Sequence, residues 1–255
     1  MKVGIFGGTF DPFTRAHYEI VNEILRRKLV DKVLVIPTVV SYYRKDKQEM
    51  FDLASRKKII ERWFEGREDV ALDFYEYELA VNTSLFYDDP KELDNRRYWH
   101  MLQDIKKRYG DANEYLTIVG GDSWNNLSTW YNYEDLLISS TFIVVHRNEF
   151  ALKDHVSSEH GTFHANNVVT IDKCYANVSA TELRKSLLIE FRLKHNESLL
   201  DLYLKRVEKS LHQEDAEDMI DKKLAEISKV LADPYKDAIC KFSIIKDIVE
   251  GRVQL

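Results

Sequence analysis

The chain has little glycine, proline and cysteine. It carries nine glycines and four prolines in 255 residues, and its glycine content is about half of the ~7% that proteins average. Few helix-breaking residues favour a largely helical chain. The two cysteines, Cys174 and Cys240, are too few and too distant for a disulfide framework or a thiolate metal site, which favours a reducing cytosol.

Long apolar runs and an excess of positive charge are also missing. No segment approaches the ~18–20 apolar residues of a membrane span, and the N-terminus lacks the apolar stretch of a signal peptide. Lys and Arg number 37 against 43 Asp and Glu, a net charge of −6, which argues against a general nucleic-acid surface. We therefore expect a cytoplasmic protein without membrane or nucleic-acid partners, in which local cations hold any anionic ligand.

What is present indicates a globular α/β protein with a sizeable core, since 44% of the residues are hydrophobic. Short apolar runs alternate with segments of helical spacing as far as about residue 188. This alternation predicts a Rossmann-like, doubly wound parallel sheet with ligands at the carboxyl ends of the strands. Strands are predicted over residues 3–6, 32–36, 70–74, 115–119, 142–145 and 168–171, and helices over 17–25, 53–64, 98–109 and from about 179.

The composition and the hydrophobic pattern of the chain change after residue 189. Residues 190–255 contain one glycine and one proline and show apolar residues at helical spacing, which predicts three helices. We therefore divide the chain into an α/β domain over residues 1–189 and an all-helical C-terminal extension over 190–255. Residues 82–97 lack periodicity and are interpreted as a long loop, a candidate lid.

Five of the nine glycines lie at two places: Gly4, Gly7 and Gly8, then Gly120 and Gly121. A strand that ends in glycines before a helix presents backbone N–H groups and the positive end of the helix dipole, which together suit a phosphate. Neither a dinucleotide fingerprint nor a Walker A lysine is present.

Thr14 and His17 stand at the start of the first predicted helix. Three residues apart, they point to the same side and could both donate to one phosphoryl group. Taken alone, His17 is better explained as an incidental residue of a helix entry.

A second helix start lies over residues 179–184. Ser179 suits an N-cap and Glu182 completes a capping box, which alone explains the pattern. Alternatively, the hydroxyls of Ser179 and Thr181 and the guanidinium of Arg184 would bind phosphate oxygens.

Together, these stretches resemble the nucleotidyltransferase superfamily, and most closely the bacterial nicotinate-nucleotide adenylyltransferases. That family begins with a strand and Gly-Gly-Thr-Phe-Asp-Pro, continues with His/Thr-x-Gly-His and ends its catalytic domain with Ser-Ser-Thr-x-x-Arg. The counterparts here are residues 7–12, 14–17 and 179–184, and residues 118–123, 130–131, 134–137 and 143–147 resemble the blocks between. The resemblance covers roughly residues 1–190.

The chain departs from the family at several positions. Thr14 replaces the first histidine, as in the pantetheine-phosphate branch, and Ala16 replaces the glycine. Residues 97–102, Arg-Tyr-Trp-His-Met-Leu, stand where the family has Ser-Tyr-Thr-x-Asp-Thr-Leu, a helix start that helps to bind nicotinate mononucleotide. The choice between nicotinate and nicotinamide mononucleotide therefore stays open.

The resemblance implies attack of a pyridine mononucleotide phosphate on the α-phosphorus of ATP, which yields an NAD-type dinucleotide and pyrophosphate. Such transfer depends on positioning and charge neutralisation, so donors and cations matter more than bases. Mg²⁺ is expected to enter with ATP and to be held by its phosphates and waters, with no metal ligands from the protein.

The resemblance also implies roles for individual residues. The catalytic residues would be Thr14, His17 and Arg184. The ATP-binding residues would be Gly8, Thr9, Phe10, His17, Gly120, Asp122, Arg147, Ser179, Thr181 and Arg184. The mononucleotide-binding residues would be Arg44, Lys45, Tyr98, Asp122, Trp130 and Tyr131.

Two of these assignments have simple alternatives. Trp130 would stack on the pyridine ring and Tyr131 would bond its carboxylate or amide, but both also fit as core aromatics. Arg44 and Lys45 also fit as a solvated charge run.

Two other functions stay open. Thr14 favours another nucleotidyltransferase, such as pantetheine-phosphate adenylyltransferase, whereas Trp130 opposes it. The altered residues 97–102 permit a non-catalytic nucleotide-binding protein, which the retention of both phosphate motifs opposes. The helical extension could cap the sheet, engage a partner or form a homo-oligomer.

Overall fold

The computed structural model of the chain describes residues 1–38, 51–76, 78, 98–146, 151–170, 180–193 and 197–212. The chain divides into two compact units. The sheet unit comprises Met1–Gly8, Glu19–Val39 and Gly66–Ala176. The motif unit comprises Thr9–Tyr18, Val40–Glu65 and Asn177–Leu255.

The sheet unit is built on six parallel strands. The central strands are runs of buried apolar residues, as parallel strands covered on both faces require. This architecture confirms the predicted Rossmann-like fold. The strands are β1 (Lys2–Gly8), β2 (Lys32–Pro37), β3 (Val70–Leu72), β4 (Glu114–Gly120), β5 (Thr141–His146) and β8 (Asn167–Thr170). Their order across the sheet is β3-β2-β1-β4-β5-β8.

The helices follow the predicted alternation. α1 (Arg15–Arg26) begins in the motif unit and continues in the sheet unit. The sheet unit also holds α3 (Tyr98–Tyr109), α4 (Gly121–Asn125) and α5 (Tyr133–Ser139). The motif unit holds α2 (Leu53–Trp63), α6 (Ala180–Leu193) and α7 (Leu199–His212).

The strand order reverses between β1 and β4, and the two glycine clusters lie at this point. Phe6 pairs with Val35 of β2 on one side and with Ile118 of β4 on the other. β1 ends at Gly8 and β4 ends at Gly120. Open α/β sheets bind ligands in the crevice at such a reversal.

Four short elements of the sheet unit were not predicted. The antiparallel strands β6 (His155–Ser158) and β7 (Gly161–His164) form a hairpin, and α4 and α5 are also unforeseen. The hairpin buries little apolar surface, so its sequence lacks the alternation that identifies a strand.

The C-terminal part is helical where it is described. α7 confirms the first of the three helices predicted after residue 189, whereas residues 213–255 and the predicted loop over 82–97 lie outside the described residues. The domain boundary at residue 190 therefore stays a prediction. Among the described helices, none has the length and apolarity that crossing a membrane requires.

An ion pair on α1 predicts how stability depends on pH. Hydrogen bonds from Arg26 and Arg27 to Glu23 lower the pKa of its carboxyl to about 2. A carboxyl whose pKa is lowered in the folded protein stabilises the fold at pH values above its ordinary pKa of ~4.3. This stabilisation is lost as the pH falls towards 2. We expect Glu23→Gln to lower the Tm by roughly 1–3 °C at pH 7 and hardly at all at pH 2. Thermal unfolding followed by circular dichroism measures this difference, and an equal loss at both pH values contradicts the prediction.

Candidate active site

The loop that follows β1, residues 9–14, is here called the motif loop. Residues 10–14 are buried, and Phe10 adopts a left-handed backbone conformation with φ of 46°. A bulky residue in this region is unusual and requires support from its surroundings. The rings of Phe10, Phe13 and His17 supply it, since each pair of ring centroids lies 5.1 Å apart. This packing also fixes the plane of the His17 imidazole.

The backbone of Thr14 determines which nitrogen of His17 carries a hydrogen. The Thr14 N–H donates to Nδ1 of His17 at 2.9 Å, and the Thr14 hydroxyl lies 3.0 Å from the same atom. Because an amide N–H can only donate, Nδ1 accepts, and the neutral ring carries its hydrogen on Nε2. Thr14 and His17 are thus brought together as predicted, with Nε2–H of His17 as a donor.

Arg184 of α6 joins the second sequence motif to the first. Its side chain is buried, and its Nη1 donates to the carbonyl oxygen of Asp11 at 2.5 Å and lies 3.8 Å from the Asp11 carboxylate. The other carboxylate oxygen of Asp11 accepts the N–H of Phe51 at 2.9 Å. The predicted cation therefore lies against the motif loop, although it was not expected to hold the loop's backbone.

Sequence reasoning missed a second buried cation on this loop. Arg56 of α2 is buried, and its Nη1 donates to the carbonyl oxygen of Thr9 at 2.7 Å. The sequence did contain a signal, because Arg56 shares the apolar face of α2 with Ile59, Ile60 and Trp63. Two guanidinium groups thus bring positive charge to the loop, which suits a phosphate ligand.

Three of the six predicted mononucleotide residues, Tyr98, Trp130 and Tyr131, form aromatic contacts in the sheet unit. The rings of Tyr98 and Trp130 lie 5.1 Å apart, and the ring of Tyr131 stacks on His100 at 5.5 Å. We call these four residues the aromatic cluster. Three of its members were predicted, and His100 is the addition.

The Tyr98 hydroxyl is anchored on the sheet. It donates to the hydroxyl oxygen of Thr117 in β4 at 3.0 Å. Burial raises the pKa of Tyr98, while its bond to Thr117 acts in the opposite direction. The hydroxyl therefore stays protonated at neutral pH, and the bond fixes the start of α3 against β4.

Asp122 lies where β4 passes into α4, and its side chain is exposed. A Cβ atom on Gly120 would lie only 2.6 Å from its Oδ1. The absence of a side chain at Gly120 therefore lets the Asp122 carboxylate sit close to the strand end.

Several predicted site residues cannot be placed. Arg44, Lys45, Arg147 and Ser179 lie outside the described residues, as does the side chain of Thr181. Their roles, and those of the residues that are placed, stay predictions.

The chain belongs to the cytidylyltransferase-like family of nucleotidyltransferases, whose model matches residues 5–186. The predicted resemblance to the bacterial nicotinate-nucleotide adenylyltransferases is likewise confirmed by its relatives. The chain is 29% identical over 214 residues to the probable nicotinate-nucleotide adenylyltransferase of Fusobacterium nucleatum, which covers 84% of this chain and 98% of that protein. The chain is also 31% identical over 152 residues to the probable nicotinate-nucleotide adenylyltransferase of Bacillus cytotoxicus. This match covers 60% of this chain and 72% of that protein.

Solved structures agree on the fold. One match is Plasmodium falciparum nicotinic acid mononucleotide adenylyltransferase complexed with NaAD, with a TM-score of 0.55 and 18% sequence identity. The match covers 73% of this chain and 83% of the Plasmodium chain. The same enzyme complexed with APC matches with a TM-score of 0.54.

Proposed function

We propose that the protein is an adenylyltransferase that joins ATP to nicotinate or nicotinamide mononucleotide, in NAD biosynthesis. The observation that carries the proposal is the contact between the two phosphate motifs. Arg184 bonds Asp11 in the loop whose last residue, Thr14, bonds His17, and relatives of the chain are described as probable nicotinate-nucleotide adenylyltransferases. The reaction would take place in the cytoplasm.

The reaction needs donors rather than a protein nucleophile. An oxygen of the mononucleotide 5′-phosphate forms a bond to the α-phosphorus of ATP, and the bond from that phosphorus to the β-phosphate oxygen breaks to release pyrophosphate. In this scheme the Nε2–H of His17, oriented by Thr14, donates to the α-phosphate as negative charge develops there.

Other residues would hold the rest of ATP. The backbone around Gly8, Thr9 and Phe10 would bind the phosphate and ribose region. Ser179, Thr181 and Arg184 would neutralise the β- and γ-phosphates, since a guanidinium suits phosphate oxygens. Gly120, Asp122 and Arg147 stay predicted as further ATP-binding residues.

Mg²⁺ would enter with ATP. The only carboxylate in residues 9–17 is that of Asp11, which accepts the N–H of Phe51 and lies beside Arg184. A cation-facing carboxylate is a poor metal ligand, which fits an ion carried by ATP phosphates and waters. Bound there, Mg²⁺ would neutralise phosphate charge.

The aromatic cluster supports a pyridine mononucleotide as acceptor. Trp130 offers a ring face for stacking, Tyr98 supports that ring, Tyr131 offers a hydroxyl, and Asp122 suits a ribose hydroxyl. Arg44 and Lys45 would attract the incoming phosphate.

The test of the function is an acceptor panel. Purified protein is incubated with ATP, Mg²⁺ and nicotinate mononucleotide, nicotinamide mononucleotide or phosphopantetheine, and pyrophosphate release and the dinucleotide are measured. We expect a dinucleotide from a pyridine mononucleotide. Product from phosphopantetheine alone would support the pantetheine-phosphate branch, and calorimetric ATP binding without any product would support a non-catalytic binder.

Replacing Trp130 tests the mononucleotide site. We expect Trp130→Ala to raise the KM for the mononucleotide roughly 10- to 100-fold, because stacking of a base on an aromatic ring contributes about 1–3 kcal/mol. The KM for ATP should change much less. Steady-state kinetics measure both constants, with Trp130→Phe as the control that keeps an aromatic face. An unchanged mononucleotide KM in the folded Trp130→Ala protein contradicts the assignment.

A further inference from the structure

Helix α7 packs one face into the motif unit. Its buried residues follow helical spacing, with Leu199, Leu202, Tyr203, Val207 and Ser210 on the covered side. The matched family region ends at residue 186, so α7 lies beyond the part of the chain that carries the phosphate motifs.

Tyr203 of this face bonds the backbone of the motif loop. Its hydroxyl donates to the carbonyl oxygen of Phe13, which also accepts Nε1–H of Trp63 at 3.2 Å. The Tyr203 ring packs near that of Phe51, with the centroids 6.0 Å apart. A carbonyl oxygen has two lone pairs, so two protein donors satisfy the Phe13 carbonyl fully.

A second bond holds the other side of the same motif. Nη1 of Arg15 donates to the carbonyl oxygen of Ser210 at 2.5 Å. Tyr203 and Ser210 are seven residues apart, two helical turns, and so share one face of α7. Phe13 and Arg15, the neighbours of Thr14 on either side, are therefore both bonded to this helix.

We infer that α7 orients the phosphate-binding histidine of the proposed reaction, with Tyr203 as a positioning residue. The carbonyl of Phe13 and the N–H of Thr14 belong to the same planar peptide group. Tyr203 bonds the carbonyl of this group, and its N–H bonds Nδ1 of His17. This deepens the proposed function and rests on it for the turnover measurement. The helix thereby gains a role in the transfer step.

The expected effect follows from how strongly rates depend on geometry. Misplacement of a reacting group by about 1 Å can cost ~10² in rate. Tyr203→Phe removes one of two donors on the Phe13 carbonyl and keeps the ring, so a smaller displacement and a kcat loss of about tenfold are expected. The KM for the mononucleotide should stay unchanged, since Tyr203 is not in the aromatic cluster.

Tyr115→Phe is a matched control. The Tyr115 hydroxyl also donates to a backbone carbonyl, that of Gly110, at 2.8 Å, and its side chain is buried in the sheet unit. Both variants lose one tyrosine hydroxyl and one such bond, so their losses of Tm should be similar. Only Tyr203→Phe should lower kcat.

Hydrogen–deuterium exchange provides a readout that does not depend on turnover. We expect faster exchange of the amides of residues 9–18 in Tyr203→Phe and unchanged exchange there in Tyr115→Phe. Equal kcat values for the two variants, or unaltered exchange over residues 9–18 in Tyr203→Phe, would overturn the inference. If the wild-type protein forms no dinucleotide, the proposed function fails, and the exchange experiment still decides whether Tyr203 holds the loop.

Discussion

His17→Ala is expected to lower kcat for dinucleotide formation by about 10² to 10³, because removal of one preorganised donor at a developing charge costs about that much. Thr14 holds Nδ1 of His17 at 2.9 Å, so the free protein has already fixed the direction of Nε2–H before ATP binds. The imidazole is packed by Phe10 and Phe13, so alanine also removes one of the three rings that support the motif loop, and the circular dichroism spectrum checks that the fold is kept. Single-turnover kinetics with saturating ATP and mononucleotide measure the transfer step.

Two variants bracket the role of His17. His160→Ala removes an exposed histidine of the β6–β7 hairpin and should leave kcat unchanged. His17→Gln places an amide donor near the position of Nε2 and should retain more activity than His17→Ala. If His17→Ala keeps its circular dichroism spectrum and turns over at the wild-type rate, His17 is not a donor to the reacting phosphate.

Arg184→Met is expected to lower kcat at least ~10²-fold and to lower the Tm by several degrees. The guanidinium is buried and bonds the carbonyl oxygen of Asp11. Removing one member of a buried charged pair costs about 3–5 kcal/mol because the other charge stays buried. The expected loss of rate has two causes. The proposed cation at the ATP phosphates is missing, and the motif loop is less firmly held. Thermal unfolding and steady-state kinetics separate the two effects.

Arg62→Met is the control for this substitution. Arg62 belongs to α2 of the same unit and forms ion pairs with Glu65 and Glu208 at the surface, so its removal should change kcat little. Arg184→Lys keeps the charge and loses the planar fork, and should fall between Arg184→Met and the wild type. Equal kcat values for Arg184→Met and Arg62→Met would refute a role for Arg184 in transfer.

The order of the fold could be predicted because local sequence determines most of its elements. The strands β1, β2, β4 and β5 are runs of apolar residues between polar turns, and buried parallel strands have that signature. The two glycine clusters also identified the strand ends at the sheet reversal. The hairpin was missed because each of its strands covers only one apolar side chain, Val156, which is buried, or Phe163, which is partly buried.

Less of the candidate site was visible in the sequence. His17, Thr14 and Arg184 belong to recognisable motifs, but their partners are mostly backbone atoms. The carbonyls of Thr9 and Phe13 accept side-chain donors from distant helices, and a carbonyl carries no residue-type signal. Such contacts depend on tertiary packing. The one sequence signal for them is the place of Arg56 on the apolar face of α2.

The motif loop also links protein synthesis to the completion of the site. Asp11 is synthesised 173 residues before its partner Arg184, and Phe13 is synthesised 190 residues before Tyr203. At ~5–20 residues per second, that interval is roughly 10–40 s. During this time a nascent chain can bond its motif loop to Arg56 and Trp63 but not yet to Arg184 and Tyr203, so the loop around the proposed transfer centre is completed in two stages.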